Sequence, residues 1–390
     1  MPCQAPDGGL MMGDKEKKRV SSLTDLPHEI LEAAYKSGIE ASEDKRSATY
    51  MYIDHSLVLS KVNEHFAGRL ELLDTKDALD KYSWLQDYLW DIIEPDKDEV
   101  TKSVFEEFGG GYFIRIMAGA RVEFPLQSCL MISGKKVKQK VHNIVIAEEG
   151  SEARIITGCS MHTKAERGEH LGVSEFFIKK DAKLNYTMIH NWSEQMKVRP
   201  RSATRLEENA TFISNYILLS PVKDLQMYPM VYCEGVNAKT ELNSIVYARG
   251  ESRVDIGSGV VFNAAGCRGE IVSRVMAKEN SNVKARAIIR GNASPAKGHL
   301  ECKGLLLDDT SVIHAIPELV GARKDVDLSH EAAVGKIAEK EITYLMSRGL
   351  SRDDATSVIV RGFLDVDILG LPPNLQQEIS SMVDKMDLGL

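Results

Sequence analysis

A short pattern recurs along the middle of the chain at a nearly constant spacing. Each copy contains an acidic or polar pair, one small residue and then alternating apolar residues, as in EEGSEARII and KKDAKLNYT. Successive small residues are separated by 31, 28, 28, 14, 29 and 30 residues, so the period is near 28–30 with a half-period near 14. A fixed period without helical patterning is typical of a β-solenoid, whose coils stack on one another. The small residues are Ser151, Ala182, Ala210, Ala238, Ser252, Ser281 and Ser311.

This repeat predicts a mainly β fold, a flattened parallel β-helix with two strands and two tight corners in each coil. The small residue permits the tight corner, and the alternating apolar residues fill the interior. An antiparallel β-sandwich with evenly spaced turns is the alternative that the repeat alone leaves open. We assign residues 109–328 to this core.

The residues before the repeat have a helical pattern. Residues 1–19 are expected to form a disordered leader, and residues 20–108 an N-terminal helical domain. Pro27 fits the first turn of a helix that would end at Gly38. The spacing of apolar residues predicts two further helices, over Ser56–Leu73 and Asp77–Ile93.

Helical patterning returns after the repeat, and residues 329–390 are expected to form a C-terminal helical domain. Lys340–Arg348 has the pattern of a short helix, and Ser351 begins a capping signature for the next one. A last helix is expected after Pro373. Such a helical end would cover the open strand edges of a solenoid, which otherwise invite aggregation.

Composition and charge argue against several classes of function. The net charge of −8 argues against a nucleic-acid surface, which needs clustered positive charge. No apolar run reaches the roughly 18 residues of a membrane span, and no signal-peptide pattern is visible, so we expect a cytoplasmic protein. No G-x-x-x-x-G-K-[ST] motif occurs, so the chain is not expected to bind a nucleotide by that route. The six cysteines form no C-x-x-C pair, and most are expected to be free thiols.

The most specific motif lies where the repeat ends. Cys302 and Glu331 are 29 residues apart, Glu331 stands in an H-E-A sequence, and an R-G-L turn begins at Arg348. The earlier segments GGGYFIRIMAGARVEFPLQ, IVIAEEGSEARIITGCS and NYTMIHNWSE extend the match over about residues 105–370. In these motifs the chain resembles the SufB/SufD scaffold proteins of SUF-type iron–sulfur cluster assembly.

The resemblance implies a right-handed parallel β-helix and a scaffold role in de novo cluster assembly, not an enzymatic one. Cys302, Glu331 and His330 would hold a transient iron–sulfur cluster, since a soft thiolate suits iron and harder oxygen or nitrogen ligands make a more releasable site. Cys159, in a G-C-[ST] segment, would accept sulfur that then moves through the solenoid interior to Cys302. Because His330 and Glu331 are adjacent, in an extended strand they point to opposite faces and need not bind the same metal.

The resemblance also implies partners. A SufC-type ABC ATPase would dock on the C-terminal helices, with Lys340–Leu364 as the candidate face. The cluster would form at the interface of a homodimer or of a SufB/SufD-type heterodimer, because an open strand face near the C-terminal end of the solenoid can pair with a second copy. A sulfur donor and cluster-accepting apo-proteins would be further partners.

Two other functions stay open from the sequence. The chain could serve as a structural SufD-like partner without a cluster of its own. It could also be a β-helix enzyme acting on polysaccharides, but such an enzyme needs clustered carboxylates on one face and is usually exported. The aromatic content of 6% is also low for sugar stacking.

Several other polar or sulfur-containing residues are given structural interpretations. We interpret His314 as a surface or interface residue and the pair Asp308-Asp309 as a turn. The stretch that contains His162, Glu166, Glu169 and His170 is interpreted as a solvated loop. Three cysteines are interpreted as small buried apolar residues, namely Cys129, Cys233 and Cys267.

Overall fold

The computed structural model describes residues 18–162, 165, 167–218, 220–364 and 376, and it contains two ten-stranded β-sheets around a shared apolar interior. Nearly all of the predicted leader lies outside the described residues, and so does the helix predicted after Pro373. None of the described helices is long and apolar enough to cross a membrane.

The secondary structure elements are numbered in chain order. The N-terminal elements are α1 (His28–Lys36), β1 (Ala48–Ile53), β2 (Ser56–Val62), β3 (Leu70–Asp74), α2 (Thr75–Lys81) and α3 (Glu99–Glu106). The next strands are β4 (Tyr112–Ile116), β5 (Leu126–Ile132), β6 (Lys136–Ala147), β7 (Glu152–Met161), β8 (Arg167–Ile178), β9 (Lys183–Asn191), β10 (Met196–Leu206), β11 (Thr211–Leu218) and β12 (Asp224–Met227). The last strands are β13 (Met230–Cys233), β14 (Lys239–Ala248), β15 (Arg253–Phe262), β16 (Cys267–Ala277), β17 (Asn282–Gly291), β18 (Ala296–Leu306), β19 (Val312–Gly321) and β20 (Val326–Lys336). The C-terminal helices are α4 (Glu339–Ser347) and α5 (Arg352–Leu364).

From β4 onward the strands alternate between the two sheets, as the coils of a solenoid require, except that β12 and β13 lie in the same sheet. Sheet A has the order β2-β1-β5-β7-β9-β11-β14-β16-β18-β20, and sheet B has the order β3-β4-β6-β8-β10-β12-β15-β17-β19, with β13 also between β10 and β15. The coil strands pair in parallel, and among the described strands antiparallel pairing is confined to β1–β2 and β3–β4. The predicted parallel β-helix is therefore confirmed, and an antiparallel sandwich is excluded.

The seven small residues of the repeat occupy the buried corners of the coils. Four of them directly precede strands of sheet A, namely Ser151, Ala182, Ala210 and Ala238. The other three directly precede strands of sheet B, namely Ser252, Ser281 and Ser311. The 14-residue interval is therefore the step from one corner of a coil to the other. At the sheet A corners the chain turns through a residue in the left-handed region, with φ +67° at Gly150, +57° at Asp181, +56° at Asn209, +62° at Asn237 and +76° at Gly266.

The N-terminal region is less helical than the sequence predicts. The helix expected between Pro27 and Gly38 is confirmed by α1, and Gly38 follows it with φ +93°. The helix predicted over Ser56–Leu73 is wrong, because this stretch forms β2 and β3. These strands add to the first coil strands of the two sheets, and burial of Val58 and Leu72 there outweighs the helix-like spacing.

The C-terminal helices begin later than predicted. Residues 329–336 continue strand β20, because Val326 and Leu328 alternate inward and pair in register with β18. Helix α4 then matches the helix predicted over Lys340–Arg348. Helix α5 packs on the outer face of sheet A and not over the end of the solenoid, with Val360 and Leu364 buried against residues of β16 and β18. Among the described residues the edge strands β19 and β20 are therefore largely exposed, and the helix predicted after Pro373, which was part of the expected cover, lies outside those residues.

Candidate functional site

Cys302 lies in the interior of the solenoid, close to its exposed end. Strand β18 alternates buried and partly exposed residues, and Cys302 is one of the inward-facing residues, with 2% of its surface exposed. In sheet A only strand β20 lies between it and the end of the sheet. Loss of hydration, together with the nearby carboxylate of Glu301, raises the pKa of the Cys302 thiol to about 11.

We expect the raised pKa to control how Cys302 reacts in the isolated chain. The reactive thiolate is the minor species below a pKa of about 11, so alkylation by iodoacetamide should be slow near neutral pH and should accelerate as the pH rises toward that value. Quantitative mass spectrometry of the Cys302 peptide across a pH series measures this rate. Labelling near neutral pH at the rate of a free cysteine would contradict the expectation.

His330 and Glu331 lie on β20 and point to opposite faces of sheet A, as the sequence predicts for an extended strand. His330 is in register with the inward-facing Leu300, and Cys302 is in register with Ala332. Cys302 and His330 are therefore diagonal neighbours on the interior face, whereas Glu331 is on the outer face beside Glu301. Among the described residues no three His, Cys, Asp or Glu side chains come together as a metal site. One chain therefore brings Cys302 and His330 to the same face but leaves Glu331 on the other.

Glu331 belongs to a chain of ion pairs on the outer face that reaches helix α5. Lys303 Nζ is 3.5 Å from the Glu331 carboxylate and donates to Glu301 at 2.8 Å. Glu301 also accepts from Arg274 Nη2 at 3.2 Å. The Nη1 atom of Arg274 donates to the carbonyl oxygen of Phe363 in α5 at 2.8 Å. A continuous set of charged contacts therefore joins the predicted cluster ligand Glu331 to the last described turn of α5.

Cys159 lies on β7, five strand spacings of sheet A from Cys302, which is about 24 Å. Its side chain faces the interior and is fully buried, and this burial raises the pKa of its thiol well above the usual value. The neighbouring residue in register is His190, whose Nδ1 is 3.0 Å from the hydroxyl of Tyr216. The Nε2 atom of His190 has no hydrogen-bond partner among the described residues. Burial lowers the pKa of His190 well below its usual value, so this imidazole is neutral.

A column of interior residues connects the coil of Cys159 with that of Cys302. We name this column the interior lane. The Ser244 hydroxyl donates to that of Ser273 at 3.1 Å, and a cavity of about 20 Å³, large enough for one water molecule, adjoins both serines and Tyr216. The interior lane consists of Thr157, Met188, Tyr216, Ser244, Ser273 and Cys302, each in register with the next.

Sequence reasoning missed the interior lane, although the repeat contains a signal for it. Ser244 and Ser273 precede Cys302 by two successive intervals of 29 residues. Residues one period apart lie beside each other in a solenoid, so polar residues at that interval from a candidate cysteine are its neighbours.

The other polar candidates lie apart from Cys302. His314 is exposed on β19, and Asp308 accepts from the backbone of Thr310 and Ser311, which confirms the predicted turn. The solvated-loop interpretation is wrong for His170, which faces the interior of β8 and contacts Gln139 at 2.8 Å. His162 is instead 3.1 Å from the carboxylate of Glu29, and Glu166 lies outside the described residues.

Comparison with known proteins gives the family. The SufBD core domain of the SUF system for FeS cluster assembly matches residues 130–363. An iron–sulfur cluster assembly SufBD family protein of Archaeoglobus fulgidus is 49% identical over 354 residues, which cover 90% of this chain and 94% of that protein. A SufBD family homologue from Methanothermobacter thermautotrophicus (strain Winter) is 45% identical over 373 residues, covering 95% and 90%. The iron–sulfur cluster assembly protein SufB of Bacillus subtilis is 28% identical over 371 residues, covering 93% and 79%. The chain therefore belongs to the SufBD family of iron–sulfur cluster assembly proteins.

Proposed function

We propose that this chain is a scaffold subunit on which a nascent iron–sulfur cluster is built at a dimer interface. The observation that carries the proposal is the position of Cys302, one strand from the exposed end of the solenoid, with His330 on the same interior face. The thiolate and the imidazole are ligands that iron accepts. A set this small would hold the cluster weakly, and a scaffold must release the cluster that it builds.

The dimer would form at the exposed end. Strands β19 and β20 are the last strands of their sheets, so their outer edges can accept strands from a second subunit. Pairing there would bring a second set of ligands to Cys302, from another copy of this chain or from a SufD-like partner. Glu331 faces outward, so its carboxylate would contribute only to a cluster that extends across the interface.

Sulfur would enter at Cys159 and reach Cys302 through the interior lane. Direct exchange between the two thiols is impossible across about 24 Å, since one sulfur must attack the other. Sulfur would therefore cross as a small species such as hydrosulfide, which two external thiols would release from a Cys159 persulfide while they are oxidised to a disulfide. The serine hydroxyls and the small cavity beside them supply polar surface and space for it along the half of that distance nearer Cys302.

We expect closure of the interior lane to stop sulfur delivery. Ser273→Val replaces the hydroxyl with methyl groups beside the cavity, whereas Ser273→Ala leaves the space open. The valine variant, purified as its ATPase complex, should lose most of its acid-labile sulfide, and the alanine variant should keep it. Thermal melting of both variants checks that the solenoid is intact. Equal sulfide in the valine variant and the wild type would remove the interior lane from the pathway.

A SufC-type ABC ATPase would dock on the segment Lys340–Leu364. Both helices in this segment bury one face and expose apolar residues on another. The exposed residues are Tyr344, Met346 and Val358, and the buried ones include Ile342 and Val360. ATP hydrolysis would belong to this partner, and the complex would work in the cytoplasm with a sulfur donor and cluster-accepting apo-proteins.

Anaerobic co-expression with the SufC-type ATPase of the same cell tests the proposal. The purified complex should contain two SufBD-type subunits by light scattering and should be brown, with iron and acid-labile sulfide. A stable monomer in the presence of the ATPase would contradict the dimer interface. An intact colourless complex that cannot be reconstituted with iron and sulfide would assign the chain to a structural, SufD-like role.

A further inference from the structure

The two strands at the exposed end of the solenoid differ in the hydrogen bonds that their open edges offer. In a parallel ladder the N–H and C=O groups of one residue point to the same side, and successive residues alternate between the two sides of the strand. Each residue bonds to the two neighbours of its register partner on the adjacent strand. The open edges of β19 and β20 are therefore formed by every second residue of each strand.

Strand β19 has an interrupted open edge. Val312 and Ala322 donate to the carbonyl oxygens of Ser281 and Gly291 on the β17 side, at 3.0 and 2.9 Å. Because the register between β17 and β19 is continuous, the even-numbered residues of β19 face β17 and the odd-numbered residues face the open edge. The central odd-numbered residue is Pro317, which has no N–H group. The open edge of β19 therefore lacks a donor at its middle, as is typical of edge strands that are protected from pairing.

Strand β20 has a complete open edge. Leu307, directly after β18, donates to Ala277 of β16 at 2.9 Å, so the odd-numbered residues of β18 face β16 and the even-numbered residues face β20. The continuous register between β18 and β20 then directs the odd-numbered residues of β20 to β18 and the even-numbered residues to the open edge. Each edge residue offers one donor and one acceptor, since none is proline. These residues are Val326, Leu328, His330, Ala332, Val334 and Lys336.

The open edge of β20 is complementary to itself. A second copy related by a two-fold axis would run antiparallel to the first. The register that pairs Leu328 with Val334 of the second copy uses all six edge residues as hydrogen-bonded pairs. Val334 is 42% exposed, and Leu328 of the second copy would cover it. His330 would lie opposite the small Ala332, so large and small side chains would alternate across the seam.

The same register places Glu331 on the two-fold axis, opposite its own copy on the outer face. Like charges directly opposite each other destabilise a strand pair. Lys303 Nζ is 3.5 Å from the Glu331 carboxylate and would offset this repulsion in each copy. The other charged residues of β20, Asp327 and Lys336, would face uncharged residues. The register therefore contains one like-charge contact, and a counter-charge already lies beside it.

We propose that two copies of this chain pair antiparallel along β20 in the register that is centred on Glu331, and that β19 contributes no continuous ladder. The inference rests on the proposed function only for the position of the dimer interface, and it adds the partner, the strand and the register. His330 of the second copy would lie beside Ala332, the register neighbour of Cys302. Each interior lane would therefore end at an imidazole that the other copy supplies.

Glu331→Cys tests the register, because only a residue on the two-fold axis lies directly opposite its own copy. The Cβ atoms of such a pair are about 4.5–5.5 Å apart, so a disulfide needs only a small adjustment. Treatment of the purified ATPase complex with diamide should convert most of the variant to a covalent dimer on a non-reducing gel, and dithiothreitol should reverse this. Ala333→Cys is the matched control and should not cross-link, because its two copies would be roughly 13 Å apart along the strand.

The outcomes separate this inference from the proposed function. A dimer by light scattering in which Glu331→Cys does not cross-link would overturn the register but leave the proposed interface. A cross-linked dimer that takes up no iron or sulfide would support the register and contradict the cluster. A monomeric complex would contradict both.

Proline substitutions test the choice of strand. Ala332→Pro removes a donor from the open edge of β20, and Ala315→Pro makes the same change at the open edge of β19. By light scattering we expect the complex with Ala332→Pro to lose its second copy and the complex with Ala315→Pro to keep it. Circular dichroism and thermal melting verify that both variants are folded. Retention of the second copy in Ala332→Pro, or its loss in Ala315→Pro, would overturn the inference.

Discussion

Replacement of Cys302 by serine is expected to remove nearly all iron and acid-labile sulfide from the complex with the ATPase, while the complex itself stays assembled. A serine hydroxyl is a poor ligand for iron in a sulfur-rich site, because it is harder and stays protonated. Among the described residues no other cysteine lies on the last two strands of either sheet, so no thiol can substitute. Iron and sulfide assays on the purified complex, with its visible spectrum, measure the loss.

The control must separate loss of a ligand from loss of packing. Burial of a serine hydroxyl costs about 1–3 kcal/mol if it stays unpaired, although Ser273 in register with it offers a partner. Cys129→Ser makes the same chemical change at a fully buried position remote from the exposed end. We expect this control to retain its iron and sulfide. A Cys302→Ser complex that is as brown as the wild type would refute the proposed role of Cys302.

Removal of the Glu175 carboxylate is expected to destabilise the N-terminal part of the fold by about 3–5 kcal/mol. Glu175 is fully buried on the outer face of β8, where it accepts from His142 Nε2 at 2.8 Å. It also accepts from the backbone N–H groups of Trp90 at 2.7 Å, Ile92 at 2.7 Å and Ile93 at 3.1 Å. In Glu175→Ala these buried donors lose their acceptor, and the segment that they anchor should detach from sheet B.

Urea denaturation followed by tryptophan fluorescence measures this effect, because Trp90 itself lies in the anchored segment. Glu175→Gln retains one acceptor oxygen and should lose less stability than the alanine variant. Glu251→Ala, at an exposed corner, is the matched control and should change the free energy of unfolding by no more than about 0.5 kcal/mol. A similarly small change in Glu175→Ala would show that the anchor is dispensable.

The solenoid was predictable because each coil needs a small residue at its corner, and this requirement leaves a period in the sequence. The two N-terminal strands left no such period. Leu57 and Val58 have the spacing of a helical face. They form a strand because β2 pairs with β1, which in turn pairs with β5, a strand formed by residues later in the chain. Residues 329–336 of strand β20 were missed for a similar reason, since they are exposed and the apolar alternation of Val326 and Leu328 is short.

The candidate site was also only partly predictable from the sequence. The opposite orientation of His330 and Glu331 follows from strand geometry, so the sequence alone predicts it. The pairing of Ser273 with Cys302 follows from the period once the coils are aligned. The contact of Arg274 with Phe363 was not predictable, because 89 residues separate them and only the docking of α5 on sheet A brings them together.

That contact makes the docking of α5 and the chemistry of Glu331 mutually dependent. Arg274 donates both to the carbonyl oxygen of Phe363 and to Glu301. Lys303 lies between the carboxylates of Glu301 and Glu331 and contacts both. Lifting α5 would let Arg274 turn fully to Glu301, and Lys303 would then shift toward Glu331. If docking of α5 changes the affinity of Glu331 for a cation that replaces Lys303, binding of that cation changes the free energy of α5 docking by the same amount, because the coupling is reciprocal. Cation binding at the end of the solenoid and docking of helix α5 would therefore share one coupling free energy.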